Sequence, residues 1–123
     1  MNPSPPFDSP FSLDIERAGR AHIVRLRGSA SMDQVEDLHR RLVELIEPGV
    51  PHLVLELSEL DFISSAGIGA IMAAHLKARA HEGTLRMVNP TPAIRNLLRL
   101  LHIDRQIGID DTLASARAAL DLD

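Results

Sequence analysis

The chain of 123 residues contains no cysteine, no tryptophan and no tyrosine, and only three phenylalanines. Without cysteine there are no disulfides, no thiolate metal sites, no iron–sulfur clusters and no thiol nucleophile. Such a composition fits a reducing compartment, so a cytoplasmic location is the expectation. Aromatics at 2% are too few to build base-stacking platforms or sugar-binding walls. A basic excess is missing too: 13 Lys and Arg against 17 Asp and Glu give a formal net charge of -4. That balance speaks against a phosphate-backbone binder, and no nucleic-acid partner is expected. No apolar run reaches the roughly eighteen residues of a membrane-spanning helix, so no membrane insertion is expected. The start of the chain lacks the basic-then-apolar order of a secretory signal.

What is present describes an ordinary globular domain. Hydrophobic residues make up 45% and charged residues 24%, a balance that rules out a disordered or collagen-like chain. A chain of this length is near the modal size of one domain and buries about two thirds of its unfolded surface. Residues 1–10 hold Pro3, Pro5, Pro6 and Pro10, four of the eight prolines, without apolar periodicity. They read as a flexible proline-rich tail, with the domain over residues 11–123.

Phe11, Leu13 and Ile15 alternate with Ser12, Asp14 and Glu16, the period of a half-buried strand. Ala18-Gly19-Arg20 supplies a turn, and His22 to Arg27 a second strand, which Gly28 ends; together they predict a hairpin. Ser31 and Gln34 have capping-box spacing, so a helix starts near Met32, carrying Val35, Leu38, Leu42 and Leu45 on one face and stopping at Pro48-Gly49. The short apolar run Leu53-Val54-Leu55 reads as a strand covered on both faces, as in a parallel sheet. After Ser64-Ser65-Ala66-Gly67, residues Ile68, Ile71, Met72, His75, Leu76 and Arg79 recur at helical spacing until Gly83. Leu85 to Val88 forms another strand. Thr91 caps a third helix with Pro92 at its first position and Ile94, Leu97, Leu98 and Leu101 as its stripe. A strand near Gln106 to Ile109 and a helix from about Thr112 to Leu120 complete the chain. The order β-β-α-β-α-β-α-β-α predicts an α/β fold, a mixed and mostly parallel sheet of about five strands with about four covering helices.

Catalytic signatures are weak. The histidines His22, His39, His52, His75, His81 and His102 show no i, i+4 ligand pair, and each reads as a surface or satisfied side chain. Ser65 lies at a strand-to-helix turn, but its surroundings are not the nucleophile elbow G-x-S-x-G. Gly67 and Gly69 lack the lysine of a phosphate loop and read as small residues that let a helix pack closely. Asp110 and Asp111 read as helix-terminal, solvated carboxylates. Arg95, Arg99 and Arg105 read as a solvated face. No catalytic residue, metal or cofactor is expected.

The segment Leu60 to Ile71 stands out. Its serines can cap a helix whose first N–H groups need acceptors. A hydroxyl at a helix start also suits a phosphoryl group, since free N–H groups and the dipole favour an anion there. Phosphorylation adds about -1.5 to -2 charges in one step.

Here the sequence resembles the STAS domain family, the bacterial anti-sigma factor antagonists in particular. The resemblance spans about Phe11 to Leu120. It rests on Gly28, the Leu53–Leu57 strand, Phe62 to Ile71, Gly83 before the next strand and Asn89-Pro90 before the third helix. It implies a binding module without catalysis, whose partner is an anti-sigma factor that is also a serine kinase of the histidine-kinase-like ATPase type. That kinase phosphorylates a serine at the start of the second helix and so weakens the complex, and a serine phosphatase resets the switch. Relatives of the sporulation type read Asp-Ser-Ser-Gly at this place. Ser64 stands in for the Asp, Ser65 for the first serine and Ala66 for the usual acceptor, so the resemblance leaves Ser65, then Ser64, as phosphoacceptor. Ser31 likewise stands where relatives often carry Asp. The implied partner-binding residues are Phe62, Ile63, Ala66, Gly67, Ile68, Gly69 and Met72. The alternative within the resemblance is a non-phosphorylated STAS scaffold subunit of a transporter or stress-signalling complex, which Ala66 keeps open.

Overall fold

The computed structural model describes residues 10–120; the tail expected over residues 1–10 lies, apart from Pro10, outside them. Strands β1 (Ser12–Ala18) and β2 (Ala21–Ala30) form the hairpin, followed by α1 (Val35–Leu45), β3 (His52–Ile63), α2 (Ser65–Ala80), β4 (Leu85–Val88), α3 (Pro92–Leu100), β5 (Gly108–Asp110) and α4 (Leu113–Ala119). The sheet order is β1-β2-β3-β4-β5. Only the β1–β2 pairing is antiparallel; β2 to β5 are parallel. This is the mixed α/β sheet with four helices that the element order predicts.

Alternation along the strands divides the core. Val24, Leu26, Leu53, Leu55, Leu57, Leu85 and Met87 face α1, α2 and α3 in one large apolar cluster. Their alternates Ile23, Val54 and Val88 meet Ala116 of α4 in a smaller cluster on the other side. Leu53-Val54-Leu55 is therefore covered on both faces. Because each parallel strand is followed by a returning helix, the starts of α2 and α3 gather at the carboxyl ends of the strands. The helix ends and the β1–β2 turn gather at the opposite edge.

Several local expectations are corrected. Gly28 does not end β2. It sits inside the strand at φ 82°, at a shift in the β2–β3 register, where the backbone of Pro10 approaches so closely that a Cβ would lie 1.8 Å from its carbonyl oxygen. A glycine bulge bends the strand without stopping it. The capping box at Ser31 does not form: Met32–Gln34 is one turn of 3-10 helix without a side-chain cap, and α1 begins after it. The apolar run at 53–55 opens a strand of 12 residues, whose continuation beside β2 exposes Ser58, Glu59, Asp61 and Phe62 while Leu57, Leu60 and Ile63 stay in the core. At the sheet's edge β1 is mostly exposed, Ile15 included. The fifth strand lies slightly beyond its expected place. Gly83 does not close α2 by its own conformation. Glu82 takes the left-handed turn at φ 60°, and Gly83 donates back to the Ala78 carbonyl. A Cβ on Gly83 would stand 2.0 Å from the Pro51 carbonyl oxygen, so glycine serves close approach there.

The stripe read along α2 is two faces rather than one. Gly67, Ile68, Ala70, Ile71, Ala74, His75 and Ala78 are buried. Met72 is half-buried and Leu76 is 63% exposed. The small residues form the inward face and let the helix lie close to its neighbours, which turns the bulkier Met72 and Leu76 outward.

Candidate functional site

The long strand β3 delivers its last residues to the carboxyl edge of the sheet. Ser64 N–H donates to the Ala30 carbonyl at 2.9 Å, tying the turn to the end of β2. Ser64 is extended, at φ -72° and ψ 162°, and caps α2: its Oγ accepts from Gly67 N–H at 3.1 Å. The expected cap is formed, and it engages the Ser64 hydroxyl. Ser65, one residue on, is exposed at the first turn of the helix.

The other residues of the segment separate into a supporting layer and a surface. Ile63 and Ile68 are in the core. Gly67 is buried against Ile63, whose Cγ1 would lie 2.7 Å from an added Cβ. Phe62 is 36% exposed, Ala66 and Met72 are half-buried and Gly69 is exposed. At Gly69 an added Cβ would meet nothing within 4 Å. Ser65, Gly69, Met72 and Leu76 follow one another at offsets of four, three and four along α2, so they share a face. Met32, 67% exposed, stands on the neighbouring 3-10 turn. Leu76 and Met32 are the surface residues that periodicity did not single out. Leu76 was hidden in an apolar stripe, and Met32 in an assumed first helical turn.

The charge setting is simple. The first turn of α2 carries neither acid nor base; its basic residues, Lys77 and Arg79, are in the last turn. Asp33 and Asp61 are exposed at the same edge.

Elsewhere the chemistry-bearing residues do not converge. Among the described residues no three His, Asp or Glu side chains could hold a metal ion. Thr84 N–H donates to His52 Nδ1 at 3.1 Å, and the half-buried His22 bonds the Leu45 backbone. The buried Nδ1 atoms of His22 and His75 have no partner, so the expectation of a surface or satisfied side chain fails at the buried His75. Burial, then Arg79, holds the His75 pKa below its usual 6.5. Asp110 is not solvated. It lies buried under Arg86, bonded by Nε at 2.6 Å and Nη2 at 3.2 Å, with Ser115 Oγ at 3.0 Å. A cavity of about 360 Å³ beside α4 is lined in part by Arg25, Glu56 and Asp111. All three are engaged within the chain, by Glu16, Ser58 and Arg95.

Known proteins share this arrangement. Residues 13–114 match the family described as Mlab, STAS domain. BtrV of Bordetella bronchiseptica, assigned as an anti-sigma factor antagonist, is 28% identical over 90 residues, 73% of this chain and 78% of its own. The crystal structure of an anti-sigma factor antagonist from Mycobacterium paratuberculosis superposes with a TM-score of 0.81 at 23% identity, over 91% of this chain and 95% of that one. The antagonist SpoIIAA in its unphosphorylated form superposes at 0.75 and 21% identity, over 85% and 92% of the two chains. The Bacillus protein in its phosphorylated form gives 0.70 and 20%, over 88% and 98%. At such identities the superpositions establish the fold.

Proposed function

The chain belongs to the STAS domain family, and from that premise we propose that it is an anti-sigma factor antagonist switched by serine phosphorylation. It is a binding module without catalysis of its own. Its partner is a kinase-type anti-sigma factor, which it engages through Phe62 and the outer stripe of α2. The observation that carries this reading is the pairing of an exposed hydroxyl, Ser65, with a bare and apolar surface along the same helix face.

Gly69 is the telling residue in that stripe. An exposed glycine inside a helix costs about 1 kcal/mol relative to alanine, and nothing in this chain needs its lack of a side chain. A partner backbone approaching α2 does. Met72 and Leu76 then offer apolar contact beside it, while Ile63, Gly67 and Ile68 fix the surface from beneath.

Ser65 is the phosphoacceptor and Ser64 the lesser candidate, since the Ser64 hydroxyl is engaged as the helix cap. A phosphoryl group on Ser65 sits at a helix N-terminus, which tolerates it. Within a desolvated contact, however, the added charge costs several kcal/mol and releases the partner. A serine phosphatase restores binding. The similarity to BtrV and to the antagonists of known structure, one of them solved in a phosphorylated form, supports the reading.

The test is capture from native lysate with wild type and Ser65→Asp as parallel baits, together with phosphosite mapping after incubation with the recovered partner and ATP. Recovery of a histidine-kinase-like ATPase by wild type alone, with phosphate on Ser65, is the expected result. Equal recovery by both baits with neither serine modified sinks the switch. Ala66 at the usual acceptor position favours one second reading, a non-phosphorylated STAS subunit of a transporter or stress-signalling complex. In that case both baits recover the same assembly components.

A further inference from the structure

The two edges of the sheet differ in charge, and each carries exposed apolar side chains that nothing in the fold requires. At the carboxyl edge of the parallel strands Met32 is 67% exposed, and the acidic Asp33 and Asp61 are exposed at the same edge. At the opposite edge α3 runs out in Leu100 and Leu101, 67% and 45% exposed. Arg99 and Arg105 stand beside them, exposed and, among the described residues, in no ion pair. Asp104, also exposed, lines a cavity with Arg99, so this end carries two bases to one acid.

The charges alone have an ordinary explanation, since acids near helix starts and bases near helix ends complement the macrodipoles. The leucines do not share it. Two adjacent leucines left in water gain nothing for the monomer, while their burial would remove apolar surface at about 25 cal/mol per Å². The surface that complements a basic, leucine-bearing ledge is an acidic one with an apolar centre, and this chain carries one at its other end.

We propose that the chain stacks head to tail on a second copy of itself, with Leu100, Leu101, Arg99 and Arg105 of one copy seated on Met32, Asp33 and Asp61 of the next. The contact is heterologous, so it leaves an unused end on each side and extends to further copies or closes into a ring. It also covers the edge from which Ser65 projects, so a stacked copy has its partner surface occluded. Stacking depends on no partner protein, and its test is separate from that of the antagonist reading.

Sedimentation velocity of the full chain from micromolar to millimolar concentration is the experiment. Sedimentation that rises with concentration at low salt and falls back toward the monomer at 1 M salt, where the screening length is about 3 Å, is expected. Arg99→Glu and Asp61→Arg each weaken association by at least about tenfold, the scale of a like-charge contact at an interface. Both substitutions are at exposed positions, and unchanged circular dichroism verifies folding. An equimolar mixture of the two variants associates again, because one retains the acidic end and the other the basic end. A chain that stays monomeric throughout, an association that ignores both substitutions, or a mixture as dissociated as its components each overturns the proposal.

Discussion

At the scale of single residues, the two glycines of the α2 segment do opposite work, and they make opposite predictions. Gly67→Ala forces a methyl to within 2.7 Å of Ile63 Cγ1. The expected loss is about 1–3 kcal/mol of stability, the usual cost of overpacking, seen as a lower urea midpoint. Gly69→Ala meets open space and raises helix propensity, so the same measurement shows a gain of up to about 1 kcal/mol. If Gly69 faces a partner backbone, that stabilised variant nonetheless captures less partner. His75 is a different kind of residue: buried, with an Nδ1 that has no partner.

At the scale of elements, Gly28 and the Arg86–Asp110 pair hold the fold's two attachments. The left-handed bulge at Gly28 receives the Pro10 backbone and so fixes where β1 enters the sheet. Gly28→Ala adds both backbone strain and a clash with main chain, which cannot swing away as a side chain can. A loss of about 2 kcal/mol or more is expected, with faster hydrogen exchange concentrated in β1. On the other side of the sheet α4 has only seven residues and a small apolar contact. Asp110, held by Arg86 and bonded to Ser115 of α4, links that helix to β4 and β5. Asp110→Ala leaves Arg86 without its partner and costs about 2 kcal/mol, with exchange rising first in Leu113–Ala119. An unchanged exchange pattern there would remove the pair from this role.

At the scale of the whole molecule, acid stability follows from which groups are held away from their usual pKa. His22, His52 and His75 are all held below 6.5, first by burial and then by Arg17, Arg20 and Arg79 respectively. The unfolded chain therefore takes up protons at a pH where the folded chain does not. Their contribution is fully present above 6.5 and is lost as pH falls through the lower folded values. Asp110 is held below 3.8, first by its hydrogen bonds to Arg86. Its contribution is present above 3.8 and lost only as pH falls further. Urea midpoints measured from pH 7.5 downward should thus decline in two stages, the first beginning near neutrality. Replacing His75 by leucine should flatten that first stage, and a first stage of undiminished slope would show that His75 has no part in it.

Much of this protein is determined by the sequence alone. The period-two strands, the helix caps at Ser64, Thr91 and Thr112 and the order of elements follow from local chemistry, in which near neighbours decide. The resemblance at Phe62 to Ile71 pointed to the family because that segment's short-range pattern is distinctive. What only the tertiary structure decided is which face of each element meets another. Leu76 and Ile71 are equally apolar in sequence, yet α2 lies against its neighbours through its smallest side chains, so one is buried and the other presented to solvent. Asp110 reads as a solvated acid until β4 brings Arg86 beside it from 24 residues away. Gly28 reads as a strand end until the Pro10 backbone crosses it. In each case the deciding contact is made by residues distant in sequence, whose approach no local pattern contains.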